Sequence, residues 1–291
     1  MRLAAPLLAL TLAAGCVRRA PPPALAPGPI EKVQIGTSLL RIVHQPGDER
    51  AAAQVARAVR AALPLAERWG PLDQPVVITI HPGHAELEAA VRRRGYPWLR
   101  AWARYATIDL QSPSSWGLIG ASDEQVTELL SHELTHCVMY QRAATEWTWS
   151  YKGIPLWFRE GMASVTAGQG RHRGTVADLF RFYAQEASGA GDGEPLGEEL
   201  SRVARGLGDD GDPLADPEPL YQDRSELVYA AAHRAFRFLL DRYGEARVLD
   251  LLARMRAGAT YDRAFTEAIG IGDPAFESDF RRFVVLQGWR R

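Results

Sequence analysis

The sequence predicts an α+β fold, with a small mixed β-sheet in the N-terminal half and a helical C-terminal half. Short β-branched runs fall in the first 120 residues, and Pro75-Val-Val-Ile-Thr-Ile-His81 is the clearest. From Glu124 onward the apolar residues recur at helical spacing instead. The 291 residues are 46% hydrophobic and include eight Trp, enough for a substantial core and incompatible with intrinsic disorder.

Taken in order, Val33 to His44 alternates and stops at Pro46-Gly47, which predicts a strand with a turn. Glu49 to Trp69 is Ala- and Arg-rich, with Val55, Val59, Leu63 and Leu65 near helical spacing. The 75–81 run reads as a buried strand, Ala85 to Arg94 as a second helix, and Thr107 to Gln111 as another strand. Leu118-Ile119 is expected to add one more strand after the Ser112-Pro113 turn. Helices are expected at 124–142, 155–167, 174–187, 223–243, 245–257 and 274–286. Between 188 and 219 lies a Gly-, Asp- and Pro-rich stretch. Its segment Gly206-Leu-Gly-Asp-Asp-Gly-Asp212 lacks the acidic spacing and terminal Glu of a calcium loop and reads as a solvated loop.

Lys+Arg number 34 against Asp+Glu 35, so the formal net charge is −1. That balance argues against nucleic acid or an anionic membrane surface as an electrostatic partner. Two cysteines exclude a disulfide scaffold and a Cys-rich metal cluster. Met1-Arg2 precedes an apolar run, Leu3 to Ala14, too short to span a bilayer as a helix. It ends in Leu12-Ala-Ala-Gly-Cys16, which resembles the lipobox of bacterial lipoproteins. The resemblance implies lipidation at Cys16 and a place in the cell envelope; an ordinary secretory signal is the alternative and implies secretion. Lipidation leaves Cys137 an unpaired thiol. The Pro-rich residues after Cys16 form a stiff tether. The expected division is 1–15 signal peptide, 16–30 tether, 31–170 β-containing part with the two helices of the site read next, and 171–291 helical part of the same unit.

The chemistry is concentrated in Ser131-His-Glu-Leu-Thr-His-Cys137. The apolar residues Val126, Leu129, Leu130, Leu134 and Val138 put this stretch on a helix. His132 and His136, four apart, then project from one face and can bind one Zn²⁺. Glu133 can reach a water on that metal without itself becoming a ligand. Catalytic zinc takes three protein ligands and keeps one position open. Glu160, in Gly153-Ile-Pro-Leu-Trp-Phe-Arg-Glu-Gly-Met-Ala-Ser164, is the candidate third, on a helix that Pro155 is placed to start. The bland reading makes it an exposed helix carboxylate.

His-Glu-Leu-Thr-His followed by Pro-Leu-Trp-Phe-Arg-Glu-Gly-Met-Ala resembles the gluzincin metallopeptidases, and more narrowly the bacterial peptidase MA-like domains. The resemblance runs from about residue 33 to 285, through a strand–helix–strand lead-in and a helical tail containing Phe238-Leu-Leu-Asp-Arg-Tyr-Gly244. It implies a zincin-like catalytic domain, His132, His136 and Glu160 as zinc ligands, Glu133 as catalytic base, and a peptide or protein substrate. Two departures matter. There is no Gly-x-Met-Glu-Asn segment, which holds the free amino terminus in M1 aminopeptidases. Ser164 stands where thermolysin-like enzymes carry an Asp that orients a histidine, so the orienting partner must differ.

M1-type gluzincins also place a Tyr from a later helix on the oxyanion. In that family a Leu-x-x-x-x-Gly-like helix end follows the Tyr at a distance, and Tyr229, fifteen residues before Gly244, has a comparable offset; Tyr221 and His233 are the alternatives, and simple packing of Tyr229 among Leu227, Val228, Ala230 and Ala231 is the other reading. His44, His81, His84 and His172 are dispersed and are expected in capping, turn or surface roles. Trp147, Trp149, Tyr151 and Trp157 are expected in the core or along a cleft. The leading expectation is a lipid-anchored zinc peptidase of the bacterial cell envelope. Its rival is a non-catalytic gluzincin-like envelope lipoprotein acting in binding or assembly, which would have no need of Glu133.

Overall fold

The computed structural model describes residues 28–188, 211–221 and 223–286. Cys16, the apolar run before it, most of the tether and residues 206–210 of the acidic loop lie outside the described residues. Among the described residues no helix is long and apolar enough to cross a membrane.

The chain is a mixed α+β structure. Five strands, β1 (Ile30–Ile35), β2 (Ser38–Val43), β3 (Val76–His81), β4 (Ala101–Ala103) and β5 (Thr107–Gln111), form one sheet in the order β1-β2-β3-β5-β4. The β1/β2 and β4/β5 pairs are antiparallel, and the central pairs are parallel. The single strand expected at 33–44 is a hairpin. Gly36 sits at φ 55°, the positive value that a two-residue turn needs at its first position. Its partner Thr37 continues the alternation, which hides the turn from a periodicity argument.

Helix α1 (Glu49–Ala66) crosses from β2 to β3 and buries Val55, Val59 and Leu63; Leu65 is half exposed instead. Helix α2 (His84–Val91) is shorter than expected. Arg92 adopts a left-handed conformation (φ 57°), and the Glu88 carboxylate accepts from the backbone of Gly95 and Tyr96, folding the chain back. Leu118 and Ile119 are not a strand. Gly117 and Gly120, both at positive φ, bend the chain on either side of them, and both side chains are fully exposed. The three-residue edge strand β4 gave too little pattern to be read.

The helical half follows: α3 (Asp123–Ala143), α4 (Leu156–Thr166), α5 (Val176–Ser188), α6 (Glu218–Tyr221), α7 (Ser225–Tyr243), α8 (Glu245–Arg256), α9 (Tyr261–Ile269) and α10 (Asp273–Val285). Six were expected within two residues of their ends. Helix α9 was not, although Thr260 caps its start and Gly270 stops it in a left-handed conformation. Helix α3 packs on α1, and α4 packs on α7. Gly161 makes the second contact possible, because a Cβ there would lie 2.3 Å from the Ala232 carbonyl oxygen. The small residue thus seats α4 on α7, not on the other metal-site helix. One apolar cluster runs from Val33 in the sheet to Val284 in α10, so sheet and helices share a core.

Candidate metal centre

Helix α3 begins with a capping box: Ser122 and Gln125 exchange side-chain to backbone hydrogen bonds. Its middle is buried on every side, polar residues included. Ser131 and Thr135 satisfy their hydroxyls on the carbonyls of Thr127 and Ser131, one turn back. That leaves His132, Glu133 and His136 as the helix's polar groups facing the open side, each 7% exposed. Helix α4 brings Glu160 against them. Gly168, left-handed at φ 69°, ends α4 and turns the chain into a 3₁₀ turn, Gln169–His172, that returns Gln169 to the same point.

His132 Nε2 lies 3.2 Å from Glu160 Oε2 and 3.2 Å from His136 Nε2, and His136 Nε2 lies 3.6 Å from Glu160 Oε2. Three ligands at about 2.0–2.1 Å around one tetrahedral zinc are themselves about 3.3–3.4 Å apart. The proton arrangement points the same way. Arg173 donates to Gln169 Oε1 (3.0 Å), and a guanidinium only donates, so the amide oxygen faces this side. His132 Nδ1 is therefore the donor to that oxygen (3.2 Å), and a ring that carries a single proton keeps it there and presents the Nε2 lone pair to the other two groups. The lone pair then faces a carboxylate oxygen. The three ligand atoms lie within 4.8 Å of one another, and these residues could hold a metal ion.

The other ring is held differently. His136 stacks on Tyr140, centroids 6.1 Å apart, and its Nδ1 is buried without a hydrogen-bond partner among the described residues. Burial raises the Glu160 carboxyl, but the His136 and His132 rings outweigh it and hold it well below the usual range. Burial pushes Glu133 up to about 7, opposed by His132 and reinforced by the Glu160 charge.

These groups open onto a cleft of about 410 Å³. Its walls are β4, the aromatic residues Tyr96 and Trp98, α4, and the α6–α7 segment. Both tyrosines singled out from the sequence line it. The Tyr221 and Tyr229 hydroxyls are 3.0 Å apart, and the Arg173 guanidinium lies over the Tyr229 ring at 4.8 Å. Burial raises Tyr221 to about 12 and Tyr229 well above its usual value. His233 is elsewhere. Its Nδ1 is paired with Ser164 Oγ (2.9 Å), Gly170 packs against its ring, and burial pushes it down to about 4. Ser164 therefore serves His233, and the partner that orients a histidine of the tripod is Gln169. Sequence reasoning missed it; the one signal was a lone Gln between two glycines just beyond the Glu160 helix.

The remaining expectations divide. Of the capping, turn and surface roles expected, His44 takes a turn role, buried with its Nδ1 2.9 Å from the Gln45 carbonyl oxygen, whereas His81 is buried at the end of β3 and pairs with Asp109 (2.8 Å). His84 pairs with Glu88 one turn on, and His172 is exposed. Trp157 is core, Trp149 packs on Tyr140, and Trp147 and Tyr151 are exposed. Cys137 is a buried free thiol bonded to the Arg104 carbonyl.

No family model matches the sequence, and no curated protein matches it. Solved structures do. An M1 zinc metallopeptidase from Deinococcus radiodurans aligns at 15% identity and a TM-score of 0.41, over 89% of this chain and 52% of that one. An aminopeptidase N family protein from Idiomarina loihiensis aligns at 14% identity and a TM-score of 0.35, over 87% of this chain and 40% of that one. The chain thus spans about half the length of these structures or less.

Proposed function

We propose that the chain is a zinc-dependent peptidase with a zincin-like, gluzincin-type site, anchored through a lipid on Cys16 in the bacterial cell envelope. The observation that carries the activity is the tripod. Three electron-pair donors converge at tetrahedral spacing in an open cleft, with a buried carboxylate beside them that the tripod does not use.

His132, His136 and Glu160 would hold the zinc, which supplies a Lewis acid for the scissile carbonyl and makes water a nucleophile near neutral pH. Glu133 accepts the proton of the attacking water and returns it to the leaving amine. Gln169 holds His132 in the tautomer whose Nε2 is free to bind. Tyr229 donates a hydrogen bond to the developing oxyanion, and the Tyr221 hydroxyl, 3.0 Å away, can act as donor to Tyr229 while it does so. The edge strand β4 offers backbone groups along the cleft to an extended peptide.

The test is hydrolysis of a peptide library by the purified protein. Cleavage that a chelator abolishes and added zinc restores is expected; no cleavage of any peptide by zinc-loaded protein contradicts the reading. The anchor rests on Gly15-Cys16 after the short apolar run. Cys16→Ser is expected to abolish fatty-acid labelling, and unchanged labelling removes the anchor from the account.

A further inference from the structure

Arg159 precedes Glu160 on α4 and lines the same cleft. Its Nε is buried without a hydrogen-bond partner among the described residues. Its Nη1 makes one long bond, 3.4 Å, to the Tyr140 hydroxyl. No carboxylate forms an ion pair with it among the described residues; the carboxylate whose charge acts on it is Glu160. A guanidinium has five donors, and burying it without a counter-charge is costly. Glu160 turns its Oε2 to the tripod, and it forms no hydrogen bond or ion pair with Arg159 among the described residues.

The other arginines of the cleft are already used or are in solvent. Arg173 holds Gln169 and reaches Glu226 at 3.6 Å. Arg100 donates to the carbonyls of Pro97 and Leu99. Arg93 lies exposed over the Trp102 ring. Among the described residues the acids of the cleft besides Glu133 and Glu160 are Glu218 and Glu226, both exposed, so none of these adds a buried acid to receive an ammonium group. Arg159 is thus a guanidinium of the cleft floor that no carboxylate pairs directly among the described residues.

We propose that Arg159, with the Tyr140 hydroxyl beside it, is a subsite for a carboxylate of the bound peptide, so that the cleft selects peptides carrying a carboxylate close to the scissile bond. The carboxylate is either the chain's own C-terminus or an acidic side chain. This deepens the peptidase reading and rests on it for the meaning of "scissile", but binding tests it separately from turnover.

The experiment is calorimetric titration of zinc-loaded Glu133→Gln protein, which holds peptides without cleaving them. The probes are N-acetyl-trialanine as the free acid, the same peptide as its C-terminal amide, and that amide with its central Ala replaced by Glu. A carboxylate peptide is expected to bind about tenfold tighter than the neutral amide, as a charge-assisted pair implies. Preference for the first acid identifies a chain terminus, and preference for the second a side chain. Arg159→Met in the same background is expected to bring the preference within about twofold while the neutral amide keeps its affinity. Arg159→Lys, which keeps the charge without the planar fork, is expected to fall between.

Equal affinity for all three peptides overturns the proposal before any variant is made. So does a preference that survives Arg159→Met at full zinc content, because the carboxylate is then on the metal. A preference intact in that background together with a lowered kcat when Arg159→Met is made with Glu133 in place also overturns it, assigning the residue to the transition state. If the preference is found and the wild-type protein cleaves none of the library, the peptidase reading fails and the subsite stands.

Discussion

Glu133 and Glu160 sit beside two imidazoles at the floor of a cleft, whereas Asp273 and Glu277 sit with Asp212 and Arg281 among the C-terminal helices, and none of these lines the cleft. Both groups are buried, and both contain carboxyls displaced from their usual range. Burial raises Asp273 to about 6 and Glu277 to about 7, much as it raises Glu133. In the second group the donors are matched to the acids. Arg281 bonds Asp212 (2.8 Å) and reaches Glu277 (3.5 Å), and the Tyr261 hydroxyl donates to Asp273. In the first, three groups able to ligate a metal converge on one point, and Glu133 beside them has no such partner role. A raised carboxyl alone therefore does not mark a site; acceptors converging on an open cleft do.

The comparison breaks if Glu133 proves to be a structural acid like Glu277. Glu133→Gln keeps the shape and cannot accept a proton. It is expected to retain zinc and lose on the order of 10²–10⁴ in kcat. Turnover within tenfold of wild type, at equal zinc content, would remove Glu133 from the chemistry. Tyr229→Phe, which deletes one hydroxyl and keeps the ring packing, is expected to lower kcat by about 10²–10³ with KM little changed. A wild-type kcat in that variant eliminates the donor role and leaves Tyr229 as packing. Gln169→Ala is expected to weaken zinc binding about 10- to 100-fold, the usual cost of losing the partner that orients a ligating histidine, read by competition with a chelator.

The smallest effect sharpens the other side. Glu277 titrates near 7 when folded and near 4 when unfolded. Between those values the folded protein keeps a proton that the unfolded chain has lost, so stability falls as pH rises through the window and levels off above it. Glu277→Gln carries no such penalty. Its melting temperature is expected to match wild type near pH 4 and to exceed it by about a few degrees at pH 8. An advantage that does not grow with pH would mean that Arg281, not burial, governs this acid.

The two groups also differ in how far the sequence disclosed them. His132, Glu133 and His136 were legible because helical spacing alone fixes their common face, and Glu160 because one helix start and one spacing place it. The α+β division was legible for the same reason, since both periodicities are local. Gln169 was not, because its approach to His132 depends on a left-handed Gly168 and on α4 resting against α7 through Gly161. The Tyr221–Tyr229 pair joins two elements that core packing of Leu220 and Val228 brings together. Arg159 carries no signal of its own in the sequence, since what distinguishes it is the absence of a directly paired carboxylate among the described residues, a property of the packed chain. The β1–β2 hairpin and α9 had signals, in Gly36, Thr260 and Gly270, that periodicity alone does not weigh.

The central claim is that His132, His136 and Glu160 hold one zinc, and metal analysis of the purified protein beside its His132→Ala/His136→Ala double variant tests it most directly. One zinc per chain is expected in the wild-type protein and less than about a tenth of that in the double variant, since a single carboxylate cannot retain the ion. Both proteins must give the same circular dichroism spectrum for the comparison to count. A wild-type chain that takes up no zinc, or a folded double variant that keeps a full equivalent, would contradict the account.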